Sequence, residues 1–337
     1  MTRTYIYVLA LCQLLTAAVD LLETSRSSFP DAFSSEGRLS PSFHNGKLIS
    51  VVFETAVAGT ANVFVYAKSG APVASYALAP AGAIKIRIWD AAIGSSGTVA
   101  AAGQAVDREG RLAMFLAIVP PGKTQAAIHQ LNPYTGERVA VASDGSVWLT
   151  TGRTDEGGGD EAANGDYNAL RHFSADGKLL GEFVPRSSLQ GVAPASGSGG
   201  TNLTWLRATG ERAGAYFGNS HRWLELEGGK VARECRAEPP LRAGEPPISL
   251  GGLALPASGG PVALFHYPTP TGTGIFQLDC GQSVWQPLAS YSATDVAAVT
   301  DLVGIDGDQL GVRRPRAPMA TIVWVQKAGS AKQTTGR

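Results

Sequence analysis

The sequence has no excess charge of either sign. Lysine and arginine total 28, and so do aspartate and glutamate. No basic surplus exists to condense on phosphate, so nucleic acid and anionic membrane surfaces lack electrostatic support as partners. Charged residues are only 17% of the chain, below the usual quarter. After the first residues no stretch repeats apolar side chains at i, i+3, i+4 and i+7, which argues against a helix-rich or βαβ fold.

Signatures of chemistry are equally scarce. There is no G-x-S-x-G elbow and no cysteine paired with a nearby histidine, which removes the common nucleophile arrangements. The H-E-x-x-H and C-x-x-C-H patterns are absent, and no glycine-rich phosphate loop opens a helix. Only three cysteines occur.

What the chain has in abundance is turns and short strands, with 41 glycines and 20 prolines. The run from Arg138 to Pro185 shows the unit most clearly. It contains RVAVASDGSVWLTTGR and ALRHFSADGKLLGEFVP, two strand pairs each folded on an Asp-Gly turn, Asp144-Gly145 and Asp176-Gly177. Flanking residues alternate apolar and polar, as half-buried antiparallel strands do. Asp-Gly suits hairpin turns with positive φ, which glycine takes freely and aspartate tolerates. Four strands in under fifty residues is the size of one propeller blade.

The unit recurs. Third strands are expected to begin near Val63, Leu112, Leu170, Trp223, Ile275 and Ile322, at steps of 49, 58, 53, 52 and 47 residues, a repeat architecture. The expected fold is all-β, a six-bladed β-propeller over residues 46–326, with 19–45 an extended lead-in and 327–337 a disordered tail. Two packed sandwiches are the rival fold. The last unit lacks an outermost strand, and N-terminal residues would supply it if the ring closes on itself.

Residues 1–18 read as a signal peptide. Arg3 precedes an apolar run over 5–15, and Thr16-Ala17-Ala18 offers a cleavage site after Ala18. Asp20 and Glu23 follow too soon for an uncleaved anchor of about 20 residues. An exported protein, periplasmic or extracellular, follows from this, with no membrane span after cleavage. Cys12 would be lost with the signal, leaving Cys235 and Cys280. A disulfide between them suits an oxidising compartment, although the two fall in different blades and two separate thiols are the alternative.

At SDGSVWLTTG and FSADGKLLGEF the chain resembles secreted bacterial six-bladed β-propellers of the NHL-like and streptogramin-lyase-like group. The likeness covers residues 46–326 and is clearest in the third unit; Gly210-Glu211 and Gly259-Gly260 replace the Asp-Gly of the inner turn elsewhere. It implies an architecture. Members of that fold include ligand binders, scaffolds, lyases and lactonases, so function stays open.

In such a ring, connections between second and third strands, and between blades, lie on one face. Ligand-face candidates there are Arg153, Asp155, Asp160, Asp166, His266, Tyr267, Arg313 and Arg314. Asp155, Asp160 and Asp166 sit in an acidic, glycine-rich stretch whose oxygens suit Ca2+. It lacks the EF-hand spacing, and a solvated loop explains the same composition, so no cofactor is assigned. His221 and His266 fall at the ends of second strands and are the candidates for a general acid or base. His172 is expected at the surface. The six tryptophans sit mainly inside strands and read as core between blades. The resulting expectation is a monomeric binding or scaffold module for an unknown protein or small molecule. The alternative is a lyase or lactonase using His221 or His266 with a divalent cation.

Overall fold

The computed structural model describes residues 21–29, 41–56, 59–153, 166–189, 204–292, 298–314 and 321–327. The signal segment, the loop acids Asp155 and Asp160, the Arg153 side chain and the tail beyond 327 lie outside the described residues. Six antiparallel sheets follow one another along the chain, and each innermost strand touches the innermost strand of the next. The chain is a six-bladed β-propeller, the architecture that the resemblance implies.

The innermost strands are Ser42–His44 in blade 1, Ala83–Ile93 in blade 2, Tyr134–Val141 in blade 3, Thr204–Thr209 in blade 4, Ser249–Ala254 in blade 5 and Asp301–Asp306 in blade 6. Third strands begin at Val63, Leu112, Asn168, Arg222, Thr273 and Thr321, within two residues of the expected positions. A two-residue strand, Glu54–Thr55, leaves the second-to-third connection of blade 1 and pairs with Arg87 and Ile86 of blade 2.

The stretch 19–45 is more than a lead-in. Leu21–Ser28 pairs antiparallel with Thr321–Lys327 as the outermost strand of blade 6, and Ser42–His44 opens blade 1. Trp324, fully buried, donates its indole N–H to Ser27 Oγ at 2.6 Å. Ser27 Oγ in turn donates to the Lys68 carbonyl of blade 1. The closing strand is thus fastened to both neighbours, and it completes the fourth strand of the last blade.

The two Asp-Gly hairpins of blade 3, one inner and one outer, differ from the sequence expectation in turn type. Gly145 and Gly177 have φ of 82° and 83°, while Asp144 and Asp176 keep negative φ. Gly145 N–H donates to the Ala142 carbonyl at 3.0 Å and Gly177 N–H to Ser174 at 2.9 Å. This is a type I turn followed by a left-handed glycine. The aspartates contribute side-chain acceptors: Asp144 Oδ1 takes Ser146 N–H at 2.9 Å.

Six apolar clusters fill the six interfaces between adjacent blades. Each sheet is therefore covered on both faces, and alternation fails to separate core from solvent except on outermost strands such as Pro72–Tyr76 and Lys230–Arg236. This explains why His172 is buried, stacked on Trp148 at 4.1 Å with Nε2 2.9 Å from Ser146 Oγ. Cys235, on the outermost strand of blade 4, and Cys280, just past the third strand of blade 5, are disulfide-linked with Cα atoms 5.5 Å apart. Lying in different blades does not keep them apart, because neighbouring blades meet face to face there.

Candidate functional site

Innermost strands of antiparallel blades surround the ring axis, and here they enclose a cavity of about 300 Å3. Blade 2 contributes Trp89 and Asp90, blade 3 Arg138, blade 4 Trp205 and Arg207, and blade 6 Asp301. Ser42 and Asp301 are the first residues of their strands, so the cavity lies toward the face that carries the inter-blade connections. At the opposite end the Asn45 amide laces three blades together. Its Nδ2 donates to the Ile93 carbonyl of blade 2 at 2.9 Å, and its Oδ1 accepts from Gly210 N–H of blade 4 at 3.2 Å.

Bulges aim these side chains. The innermost strands of blades 2, 3, 5 and 6 shift register at Trp89, Glu137, Gly251 and Val303. A bulge inserts one residue and re-aims its neighbours, a device common beside binding sites. The short inner strand of blade 1, Ser42–His44, leaves Ile49 and Val51 of the second strand facing the cavity.

The polar lining also holds the ring together. Asp90 Oδ2 accepts from Val139 N–H at 3.0 Å, linking blades 2 and 3. Arg138 Nε donates to the Thr204 carbonyl at 3.1 Å, linking 3 and 4, and Arg207 Nε donates to the Leu253 carbonyl at 3.0 Å, linking 4 and 5. Arg207 Nη1 donates to the Leu206 carbonyl at 2.8 Å. Both guanidinium groups lie over the Trp205 ring, 5.0 and 4.8 Å from its centre, a cation–π arrangement.

These contacts satisfy hydrogen bonds but leave formal charge uncompensated. Among the described residues neither Arg138 nor Arg207 has a carboxylate within ion-pair distance. Burial pushes the Arg207 pKa down to about 10, against the attraction of Asp90 and helped by repulsion from Arg138. Asp301 is different, because Arg313 Nη1 lies 3.6 Å from its Oδ2. Treating that pair as neutral leaves Arg138, Arg207 and Asp90, a net charge of one positive.

Beside the cavity, His44 Nε2 lies 2.8 Å from Ser42 Oγ. Burial, reinforced by Arg207, drives the His44 pKa down to about 3.

The structure brings together only some of the expected site residues. His266 packs so closely on Gly251, a lining residue, that no Cβ fits there. Burial lowers its pKa, opposed by Asp301 and the Thr300 carbonyl. His266, Asp301 and Arg313 therefore form one group at the cavity wall. The others are spent elsewhere. His221 Nδ1 is 2.5 Å from Glu238 Oε2. Tyr267 is buried and donates its hydroxyl to the Pro240 carbonyl at 2.7 Å. Asp166 binds the Ser187 hydroxyl and N–H and Tyr167 N–H, contacts that lower its pKa, the hydroxyl most. Arg314 Nη1 lies 3.7 Å from Glu23 on the closing strand.

Sequence reasoning missed Trp89, Asp90, Arg138, Trp205 and Arg207. The available signal was a charge inside an apolar inner strand, as in IKIRIWDAAI and TWLRAT. A larger cavity of about 480 Å3 lies between blades 4 and 5 near Cys280. Its Arg212 is committed to Glu225 and to the Pro256 and Gly259 carbonyls, so the axial cavity is the better candidate.

No protein-family model and no curated protein matches this chain. Solved structures match its fold. A presumed exported protein from Bacteroides fragilis is 10% identical, with 92% of this chain and 95% of that chain covered and a TM-score of 0.52. A member of the DUF4221 family from Bacteroides vulgatus is 10% identical, with 92% and 98% covered and a TM-score of 0.51. At this identity the likeness is one of fold.

Proposed function

We propose that the protein is an exported binding propeller whose axial cavity takes one small ligand. The observation that carries this reading is convergence. Aromatic and charged groups from innermost strands far apart in sequence meet around one half-open cavity of about 300 Å3, at the lower end of ligand-pocket sizes. Two of those groups are guanidinium ions without a carboxylate partner among the described residues, an arrangement that is costly unless something else supplies charge.

Catalysis has less support. Ser42 and His44 are within hydrogen-bond distance, but an imidazole held near pKa 3 is a poor base for a hydroxyl proton at neutral pH. In the lyase or lactonase alternative, only His266 of the two candidate histidines reaches the cavity wall. Among the described residues no group of three or more His, Cys, Asp or Glu is placed to hold an ion.

Export is supported by the apolar N-terminal run with its small-residue cleavage site, and by the Cys235–Cys280 disulfide, a bond that persists in oxidising compartments. The mature chain is expected to begin at Val19, which N-terminal sequencing of secreted material checks.

Binding is tested by ligand-observed NMR with a small-molecule library, on wild type and on Leu250→Trp. Leu250 lines the cavity, and tryptophan there fills it. Hits that vanish in a folded Leu250→Trp protein are the expected result; hits retained at full strength place the site elsewhere.

A further inference from the structure

The two sides of the axial cavity differ in kind. Blades 1 and 4 face each other across a six-membered ring. On one side, blades 3 and 4 present Arg138, Trp205 and Arg207; on the other, blades 6 and 1 present Val303, Ile49 and Val51. One wall is cationic and the opposite wall is mainly aliphatic, its polar members being Ser42 and Asp301, the latter 3.6 Å from Arg313.

Among the described residues the cationic wall has no internal counter-ion of matching strength. The carbonyls of Thr204, Leu253 and Leu206 accept its hydrogen bonds without neutralising it. Asp90 offsets one positive charge of two and is itself occupied by Val139 N–H. A monoanion brings the cavity to neutrality. A dianion overshoots and meets Asp90 and Asp301 as well. The aliphatic wall selects further, since a bare inorganic anion leaves it without a partner.

Resting on the reading of the cavity as a binding site, we propose that its ligand is a small amphiphilic monocarboxylate. The carboxylate lies on the Arg138–Arg207 side, where guanidinium groups suit bidentate contacts, and the apolar body lies against Ile49, Val51 and Val303. A volume of about 300 Å3 is on the order of ten water volumes. That admits an acid the size of hexanoate or phenylacetate and excludes a long-chain fatty acid.

The test is isothermal titration of the whole protein with acetate, hexanoate and phenylacetate, with hexanamide and phenylacetamide as neutral counterparts, and with inorganic phosphate. Hexanoate and phenylacetate are expected to bind at least about tenfold tighter than their amides, about 1.4 kcal/mol, and tighter than acetate or phosphate. Arg138→Gln is expected to shrink the acid-to-amide ratio toward one. The wild-type comparison needs no variant and stands even if Arg138→Gln does not fold. Amides binding as well as acids, or phosphate outcompeting hexanoate, overturn the monocarboxylate proposal and leave a binding cavity in place. If none of these compounds binds, the proposal fails; if the library hits also survive Leu250→Trp, the cavity reading fails with it.

Discussion

Asp90 offers a perturbation in which stability and binding move in opposite directions. Its side chain is 9% exposed, and Oδ2 accepts from Val139 N–H, a group belonging to a fully buried residue. Asp90→Ala removes a charged acceptor and orphans that N–H. Hydrogen bonds to charged groups contribute about 1.5–3 kcal/mol, so a loss of about 2–3 kcal/mol is expected. Arg207 also loses the one carboxylate whose attraction opposes its desolvation, which deepens the loss. Asp90→Asn keeps an acceptor oxygen and removes only the charge, so its loss is expected to be about half as large. Both substitutions raise the cavity charge from one positive to two. At an effective dielectric of about 20 and a separation of about 8–10 Å, one charge contributes roughly 2 kcal/mol before screening, so hexanoate affinity is expected to rise by about tenfold. Urea unfolding measures the first effect and isothermal titration the second. If Asp90→Ala is as stable as wild type, the inter-blade clasp is misjudged; if Asp90→Asn binds hexanoate no more tightly, the charge argument is wrong.

Three further outcomes follow from the fold. Trp324→Ala strips a fully buried indole from the ring closure and is expected to destabilise by about 3–5 kcal/mol, with Trp324→Phe losing less; equal urea midpoints would contradict a closing role for Leu21–Ser28. Replacing both Cys235 and Cys280 by alanine opens a cross-link spanning 45 residues, worth about 4 kcal/mol in the chain-entropy model, and the same shift is expected in wild type on adding reductant. Folded His44 stays neutral down to about pH 3, while an unfolded histidine takes up a proton near pH 6.5. Unfolding then binds a proton throughout that window, so stability falls as pH falls from about 6.5 to 3, by up to about 1.4 kcal/mol per unit. His172 and His266, also lowered by burial, act with the same sign. A His44→Gln protein is expected to show a shallower decline between pH 7 and 5, and an unchanged slope would contradict the burial argument.

The blades were legible in the sequence because their signals are local. Each depends on a strand pair and a turn within a few residues, as at Gly145 and Gly177, and the repeat then sets the ring. The need for an N-terminal closing strand was legible for the same reason, since one blade plainly lacked an edge. The cavity was not, because its members are brought together only by ring closure. Asp90 meets Val139, and Arg207 meets Leu253, across blade boundaries that no spacing rule spans. Trp148, Trp223, Trp285 and Trp324 are core, as expected, but Trp89 and Trp205 are half-buried and face the cavity. His172 was misread because alternation assumes one wet face, and a blade has a neighbour on each side. Of the candidate residues, His266 and Arg313 lie beside the axial cavity, whereas Tyr267 and His221 are engaged by local contacts.

The most direct measurement is an indole N–H spectrum of 15N-labelled protein during titration with hexanoate, with the six tryptophans assigned by single Trp→Phe variants. The account predicts shifts in Trp89 and Trp205, which line the cavity, while Trp148, Trp223, Trp285 and Trp324 between the blades stay still. Saturable binding that leaves Trp89 and Trp205 unmoved, or moves only the buried four, would contradict it.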